Sequence, residues 1–133
     1  TGARAQELLN ITKADLNVYD GSVFIRGLKG SSDREIPLLP SFFAELANFA
    51  EGQAGPRLFP ISYPRLYQIW ELYRPIPKKF HSLRHTFAIK LYQKTRDLRL
   101  VQVALGHRNI TNTMIYADFV YSQQELRKLI LER

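Results

Sequence analysis

The residue types best suited to acid–base and phosphate chemistry gather in the later part of the chain. All three histidines, His81, His85 and His107, lie there. His81 and His85 are four residues apart, so a helix puts them on one face. That spacing suits a metal, with His107 as a third ligand. Two neighbours argue against it. The residue after His81 is Ser82, not the glutamate that activates water on a zinc-protease helix. Arg84 sits beside the pair, and a guanidinium disfavours a dication. His81 and Arg84 make better sense as a unit. Three residues apart on a helix, they project to the same side. Arginine offers a planar fork matched to phosphate oxygens, and a neighbouring imidazole adds a donor that also moves protons near neutral pH. His107 follows Gly106 at a predicted helix end, where a side chain can point into a site. Tyr116 lies nine residues further on and supplies a hydroxyl.

The charge pattern points the same way. Residues 1–56 hold 5 basic and 7 acidic side chains, whereas residues 57–133 hold 14 basic and 5 acidic. A basic excess confined to one part of the chain suggests a polyanionic partner. The chain of 133 residues contains no cysteine, which excludes a disulfide scaffold, a zinc finger and a thiol nucleophile. No apolar run approaches the roughly 18 residues needed to cross a bilayer. The length fits one domain. The chain does not begin with Met and shows no signal-peptide pattern, so it reads as a piece of a longer protein.

The elements that must position these residues are predicted as follows. Thr1 to Ile11 reads as a short helix. Leu16 to Tyr19 and Ser22 to Arg26 read as strands around the turn pair Asp20-Gly21, and Arg34 to Leu38 as the returning strand after a Gly- and Ser-rich loop. Beyond Pro40 the chain reads as helical. Phe42, Phe43 and Phe49, and later Trp70 and Tyr73, are expected in the core. Ser62 and Asp97 are candidate N-caps, Gly106 a C-cap and Thr111 a further cap. The segment His81 to Lys94 is expected to bury a face of Leu83, Phe87, Ala88 and Leu91. A last amphipathic helix runs from Gln123 to Leu131. The fold class is therefore α+β, mostly helical, with a small three-stranded antiparallel sheet near the N-terminus.

The order and spacing of the motifs carry a family resemblance. Thr1-Gly2-Ala3-Arg4 with Glu7 comes first, then a hairpin with Lys29 ending in Ile36-Pro37-Leu38. His81-Ser82-Leu83-Arg84-His85-Thr86 follows, and then Leu105-Gly106-His107 with Tyr116 downstream. This set resembles the catalytic domain of the tyrosine recombinases, the phage-integrase and Xer-like family, from residue 1 to about residue 120. Ala3 stands where that family more usually has Leu. The resemblance implies a role for each matching position. Arg4 and Arg84 clamp a scissile phosphate. Lys29 protonates the departing 5′ oxygen. His81 and His107 contact the phosphate, and Tyr116 is the nucleophile. Glu7 buttresses the arginines, and His85 is structural. Tyr121 is the nearest competing nucleophile.

The implied chemistry is site-specific DNA recombination by transesterification. Two arginines and two imidazoles offset the charge of a phosphodiester under attack, so neither a metal nor another cofactor is implied. The partners implied are double-stranded DNA and, on paired sites, a homo-tetramer, with the isolated domain a monomer or weak dimer and no membrane involved. The resemblance also implies a cytoplasmic, nucleoid-associated protein. A separate N-terminal DNA-binding domain and the first catalytic-domain helices would precede residue 1. Two other readings stay open. Val103 to Tyr116 could form a helix-turn-helix-like unit of a DNA-binding module without catalysis. A type IB topoisomerase or telomere resolvase would share the tyrosine chemistry.

Overall fold

The computed structural model describes residues 1–28, 30–119 and 123–131. Its sheet forms around a four-residue turn, Val18 to Gly21, that ends in the Asp20-Gly21 pair. Strand β1 (Leu16–Asn17) pairs antiparallel with β2 (Ser22–Ile25), which pairs antiparallel with β3 (Arg34–Pro37). β1 is shorter than expected. The Asn17 side chain accepts from the backbone N–H groups of Tyr19 and Asp20 at 3.1 and 3.2 Å, so a local turn takes those groups from the ladder. Register decides the rest. Val23 faces Ile36 and Ile25 faces Arg34. Side chains alternate along a strand, so Arg34 and Ile36 turn inward while Glu35 and Pro37 face solvent.

The first helix, α1, spans only Ala5–Leu9, not the whole of Thr1 to Ile11. Gly2 explains the difference. It adopts φ +70°, and a Cβ there would come within 2.3 Å of the Phe87 ring. Residues 1–4 therefore cross close to a later helix before α1 starts. That later helix is α4 (Ser82–Thr95). Between them come α2 (Pro40–Glu51) and α3 (Tyr63–Tyr73). Ser62 caps α3 by accepting from Arg65 N–H at 3.2 Å. After α4 follow α5 (Leu98–Leu105), α6 (Thr111–Met114), a 3-10 segment (Ile115–Phe119) and α7 (Gln123–Leu131). Asp97 caps α5 by accepting from Leu100 N–H at 3.1 Å. Thr111 is not a cap. It is the first residue of α6, and the Asn109 side chain accepts its N–H at 3.0 Å.

Two apolar clusters make the core. One joins the sheet to α2 through Val23, Ile25, Ile36, Ala50 and Leu58. The other joins α4, α5 and the 3-10 segment through Ala88, Tyr92, Val101, Leu105 and Tyr116. The expected aromatic core is mostly absent from both. On α2 the inward face is Phe43 and Ala50, seven apart. Phe42 and Phe49, also seven apart, lie on the adjoining face and stay exposed. No residue of α3 is buried, and Tyr73 is 76% exposed. Trp70 instead packs edge-on to Phe80, 5.6 Å between centroids, and donates its indole N–H to Lys78 O. On α4 the buried stripe is Arg84, Ala88 and Tyr92, whereas Leu83 is exposed. The helix is rotated so that an arginine, not a leucine, heads its inward face. On α7, Leu129 and Ile130 are exposed. Among the described residues, no helix is long and apolar enough to cross a membrane.

Gly106 closes α5 at φ +74°, and its missing Cβ leaves room for two neighbours. A Cβ would fall 2.6 Å from Arg34 Nη1 and 2.7 Å from Ser32 O. The substitution Gly106→Ala combines left-handed strain with a clash against a buried side chain and backbone. It is expected to lower stability by about 2 kcal/mol or more. Urea denaturation checks this, and a loss under about 0.5 kcal/mol would show that the close approach is easily relieved.

Candidate active site

A buried carboxylate anchors the site. Glu7 projects from α1 and is 1% exposed. It accepts both guanidinium arms of Arg34 at 2.9 Å, and Arg4 N–H at 2.8 Å. Arg84 stands 4.0 Å away. Burial pushes the Glu7 carboxyl up. The Arg34 fork, the Arg4 N–H and the charges of Arg34 and Arg84 together outweigh this and hold it below the ordinary carboxylate range. Glu7 is expected beside Arg4 and Arg84, and its direct side-chain partner is Arg34. In the sequence Arg34 stands out only as the first residue of the returning strand. The strand alternation that makes Ile36 a core residue also turns Arg34 inward, and that signal was present.

Arg84 is 2% exposed and makes no short contact to a carboxylate. It donates to Gly2 O at 2.8 Å and to Leu105 O at 2.9 Å. The α5 C-terminus is thereby tied to the segment leading into α1. Burial, then the charges of Arg4 and Arg34, push the Arg84 guanidinium down to about 10, so it remains a cation at neutral pH. Two guanidiniums (Arg34, Arg84) flank one carboxylate, and a third, that of Arg4, acts on Arg84. The excess positive charge suits an anion.

The β2–β3 hairpin closes over this cluster. Arg4 donates to the Ser31 hydroxyl, and Ser31 forms an isolated antiparallel bridge with His107. Ser32 N–H donates to Gly106 O at 2.7 Å. The returning arm of the loop is therefore pinned, and Ser31 is buried. Lys29 lies outside the described residues, as does Tyr121. His107 is fixed through Nδ1 to the buried Thr113 hydroxyl at 2.8 Å. Burial, then the fields of Arg84, Arg4 and Arg34, push His107 down to about 4.

His81 and His85 share a face of α4 as the spacing required. Their rings meet edge to face with centroids 4.8 Å apart. His81 is exposed, and burial of its ring, then His85, Arg84 and Arg4, push it below the ordinary imidazole value. Tyr116 enters from the 3-10 segment and is 2% exposed. Its hydroxyl lies 2.9 Å from His85 Nδ1. Burial raises the Tyr116 phenol, and Arg84 and Arg4 partly oppose that rise. Arg4 and Arg84 thus act on His81, His107 and Tyr116 alike, which makes the five one basic cluster. Beside Arg4 and His81 a cavity of about 220 Å³ opens between α1 and α3, lined also by Tyr63, Tyr67 and Phe80.

Two outcomes test this geometry. Glu7→Gln leaves Arg34 buried without its carboxylate and is expected to cost about 3–5 kcal/mol at neutral pH. Because the folded carboxyl lies below its unfolded value, Glu7 stabilises fully above about pH 4.3. That contribution is lost as pH falls through the lowered folded value, so the two proteins should converge in acid. Urea midpoints from pH 7 downward measure this. His107, followed by NMR in the free protein, should titrate near pH 4, with a rise on adding inorganic phosphate. A midpoint at the ordinary imidazole value near 6.5 would contradict the buried cationic pocket.

Comparison with known proteins places this geometry in a wider set. The profile of the phage integrase family matches residues 71–123. The tyrosine recombinase XerC of Proteus mirabilis is 33% identical over 145 residues, which is 96% of this chain and 46% of that protein. The chain spans about half the length of the curated relatives it matches. Among solved structures, XerH site-specific recombinase bound to difH substrate aligns with TM-score 0.72 and 30% identity, covering 98% of this chain and 42% of that one. The catalytic domain of bacteriophage HP1 integrase aligns with TM-score 0.70 and 25% identity, covering 99% of this chain and 76% of that one. The motif order, the basic cluster and these alignments agree, and over nearly its whole length the chain matches a tyrosine recombinase catalytic domain.

Proposed function

We propose that this chain is the strand-cleaving and rejoining domain of a site-specific DNA recombinase, with Tyr116 as nucleophile. The observation that carries the reading is the convergence of Tyr116, Arg4, Arg84, His81 and His107, from positions up to 112 residues apart, in one cluster with excess positive charge, tied together through Ser31, His85 and the Gly2 and Leu105 carbonyls. Arg4 and Arg84 hold the two non-bridging oxygens of the scissile phosphate. His107 adds a donor, because Nδ1 can accept from Thr113 and leave the proton on Nε2. His81, exposed at the mouth, adds another. Their charge and dipoles act most strongly where negative charge builds in the transition state. Tyr116 Oη bonds to phosphorus, the bond to the 5′ oxygen breaks, and Lys29 supplies the proton that oxygen needs. The 3′-phosphotyrosyl ester retains the energy of the broken bond, so a free 5′ hydroxyl reseals the strand.

The partner in this reading is double-stranded DNA in the cytoplasm, supported by the basic later part of the chain and by related structures that contain DNA. Four copies assemble on paired sites, while the isolated domain is a monomer or weak dimer. The exposed Leu129 and Ile130 of α7 support exchange of that helix between neighbours. In the longer protein, an N-terminal DNA-binding domain and further helices precede this segment.

The test is covalent capture. A pool of nicked duplexes with randomised sequence is incubated with the protein, and DNA is recovered from the detergent-resistant protein fraction. The unaltered chain should yield an adduct, and Tyr116→Phe none. Arg84→Ala should lower the adduct rate by about 100-fold or more while DNA affinity, measured at several salt concentrations, falls less than about 10-fold. Equal losses in both, with no adduct from any variant, would make the domain a DNA-binding module instead.

A further inference from the structure

We propose that His85 is the proton acceptor for Tyr116, a catalytic role beyond the structural one its position suggests. The inference rests on the reading of Tyr116 as nucleophile. Tyr116 Oη has one hydrogen-bond partner among the described residues, and it is His85 Nδ1 at 2.9 Å. The other two imidazoles are disposed differently. His107 commits Nδ1 to Thr113 at 2.8 Å, and His81 sits at the pocket mouth with its ring against His85 rather than the phenol. A phenol is a weak nucleophile until it loses its proton. Here the hydroxyl is removed from solvent, so bulk water does not serve as its base. The group already in contact must do so.

The step balances. The Tyr116 O–H bond breaks, its proton moves to His85 Nδ1, and the oxygen electron pair forms the bond to phosphorus. The bond to the 5′ oxygen breaks with its pair, and that oxygen takes a proton from the proposed donor, Lys29. On resealing, the 5′ hydroxyl returns its proton to that lysine as it attacks phosphorus, the bond to Tyr116 Oη breaks with its pair, and His85 gives the proton back to that oxygen. The charged and titratable groups around His85 are Arg84 beside it on α4, His81 one turn earlier and Tyr116 from the 3-10 segment. Arg4 acts through its field on His81 and Tyr116.

Two measurements decide the matter. The first needs no DNA. Nitrogen-15 NMR of the free protein at neutral pH should find His85 as the Nε2–H tautomer with Nδ1 bare, and Tyr116→Phe should move the Nδ1 resonance. A proton resident on Nδ1 would overturn the proposal, because that nitrogen would then donate to the phenol. The second uses the duplex recovered by covalent capture. His85→Asn keeps an acceptor near the Nδ1 position, and so the Tyr116 contact, but takes no proton. It should form adduct about 100-fold more slowly, with unchanged DNA affinity and loss of the acid limb of the rate profile. Added imidazole should restore part of the rate to His85→Ala. A His85→Asn protein with the original rate and pH profile would overturn the assignment. An adduct that persists in Tyr116→Phe would instead overturn the nucleophile, which separates the two failures.

Discussion

The carboxylate of Glu7, held in the fork of Arg34, underlies the rest of the site. Burying either ion alone costs several kcal/mol, so each is retained only because the other is present. Their pairing fixes α1 against β3, and Arg34 also donates to Ala104 O on α5 at 3.0 Å. Three elements distant in sequence meet at one ion pair. Arg84 completes the arrangement from α4, reaching Gly2 O on one side and Leu105 O on the other. The two apolar clusters are thus joined through a polar seam, and that seam is the floor of the site.

The seam is unbalanced in charge, and its function depends on that imbalance. One carboxylate cannot neutralise three guanidiniums. Burial first, and then the residual field, depress His107 and His81, while at Tyr116 burial of the phenol outweighs the field that favours its ionisation. Neutral imidazoles keep the empty site from accumulating still more positive charge. A phosphate entering this field meets donors that are already oriented, so little reorganisation remains for the moment of reaction. Rigidity here comes from backbone carbonyls as much as from side chains. Both Arg84 contacts end on main-chain oxygens, which cannot swing away.

The surface away from the seam is built differently. α3 covers α1 without burying a side chain, and its aromatic residues form an outer layer with Phe80. The cavity beside Arg4 and His81 lies under that layer. Helices that pack through one partial face have little apolar area to lose and open more readily than the core. Arg84 and His107, two of the residues proposed to hold a phosphate, thus sit on the floor, and the elements around the mouth are lightly attached.

Local signals in the sequence settled a large part of this structure. Asp20-Gly21 set the first hairpin, Ser62 and Asp97 set two helix starts, and Gly106 set a helix end, because each depends on backbone chemistry within a few residues. Helical spacing alone put His81, Arg84 and His85 on one side of α4. Tertiary packing decided what spacing could not. Arg34 reads as an exposed cation until strand register turns it toward Glu7, and Leu83 reads as core until α4 rotates Arg84 inward. The aromatic residues of α2 and α3 have the right period for burial, but burial requires a facing surface, and only Phe43 finds one fully. The contact of His85 with Tyr116 spans 31 residues and exists only because the 3-10 segment packs on α4. Residue type and spacing determine which groups can do chemistry. Which of them touch depends on long-range packing, since burial energy is shared over many residues and leaves no local mark in the sequence.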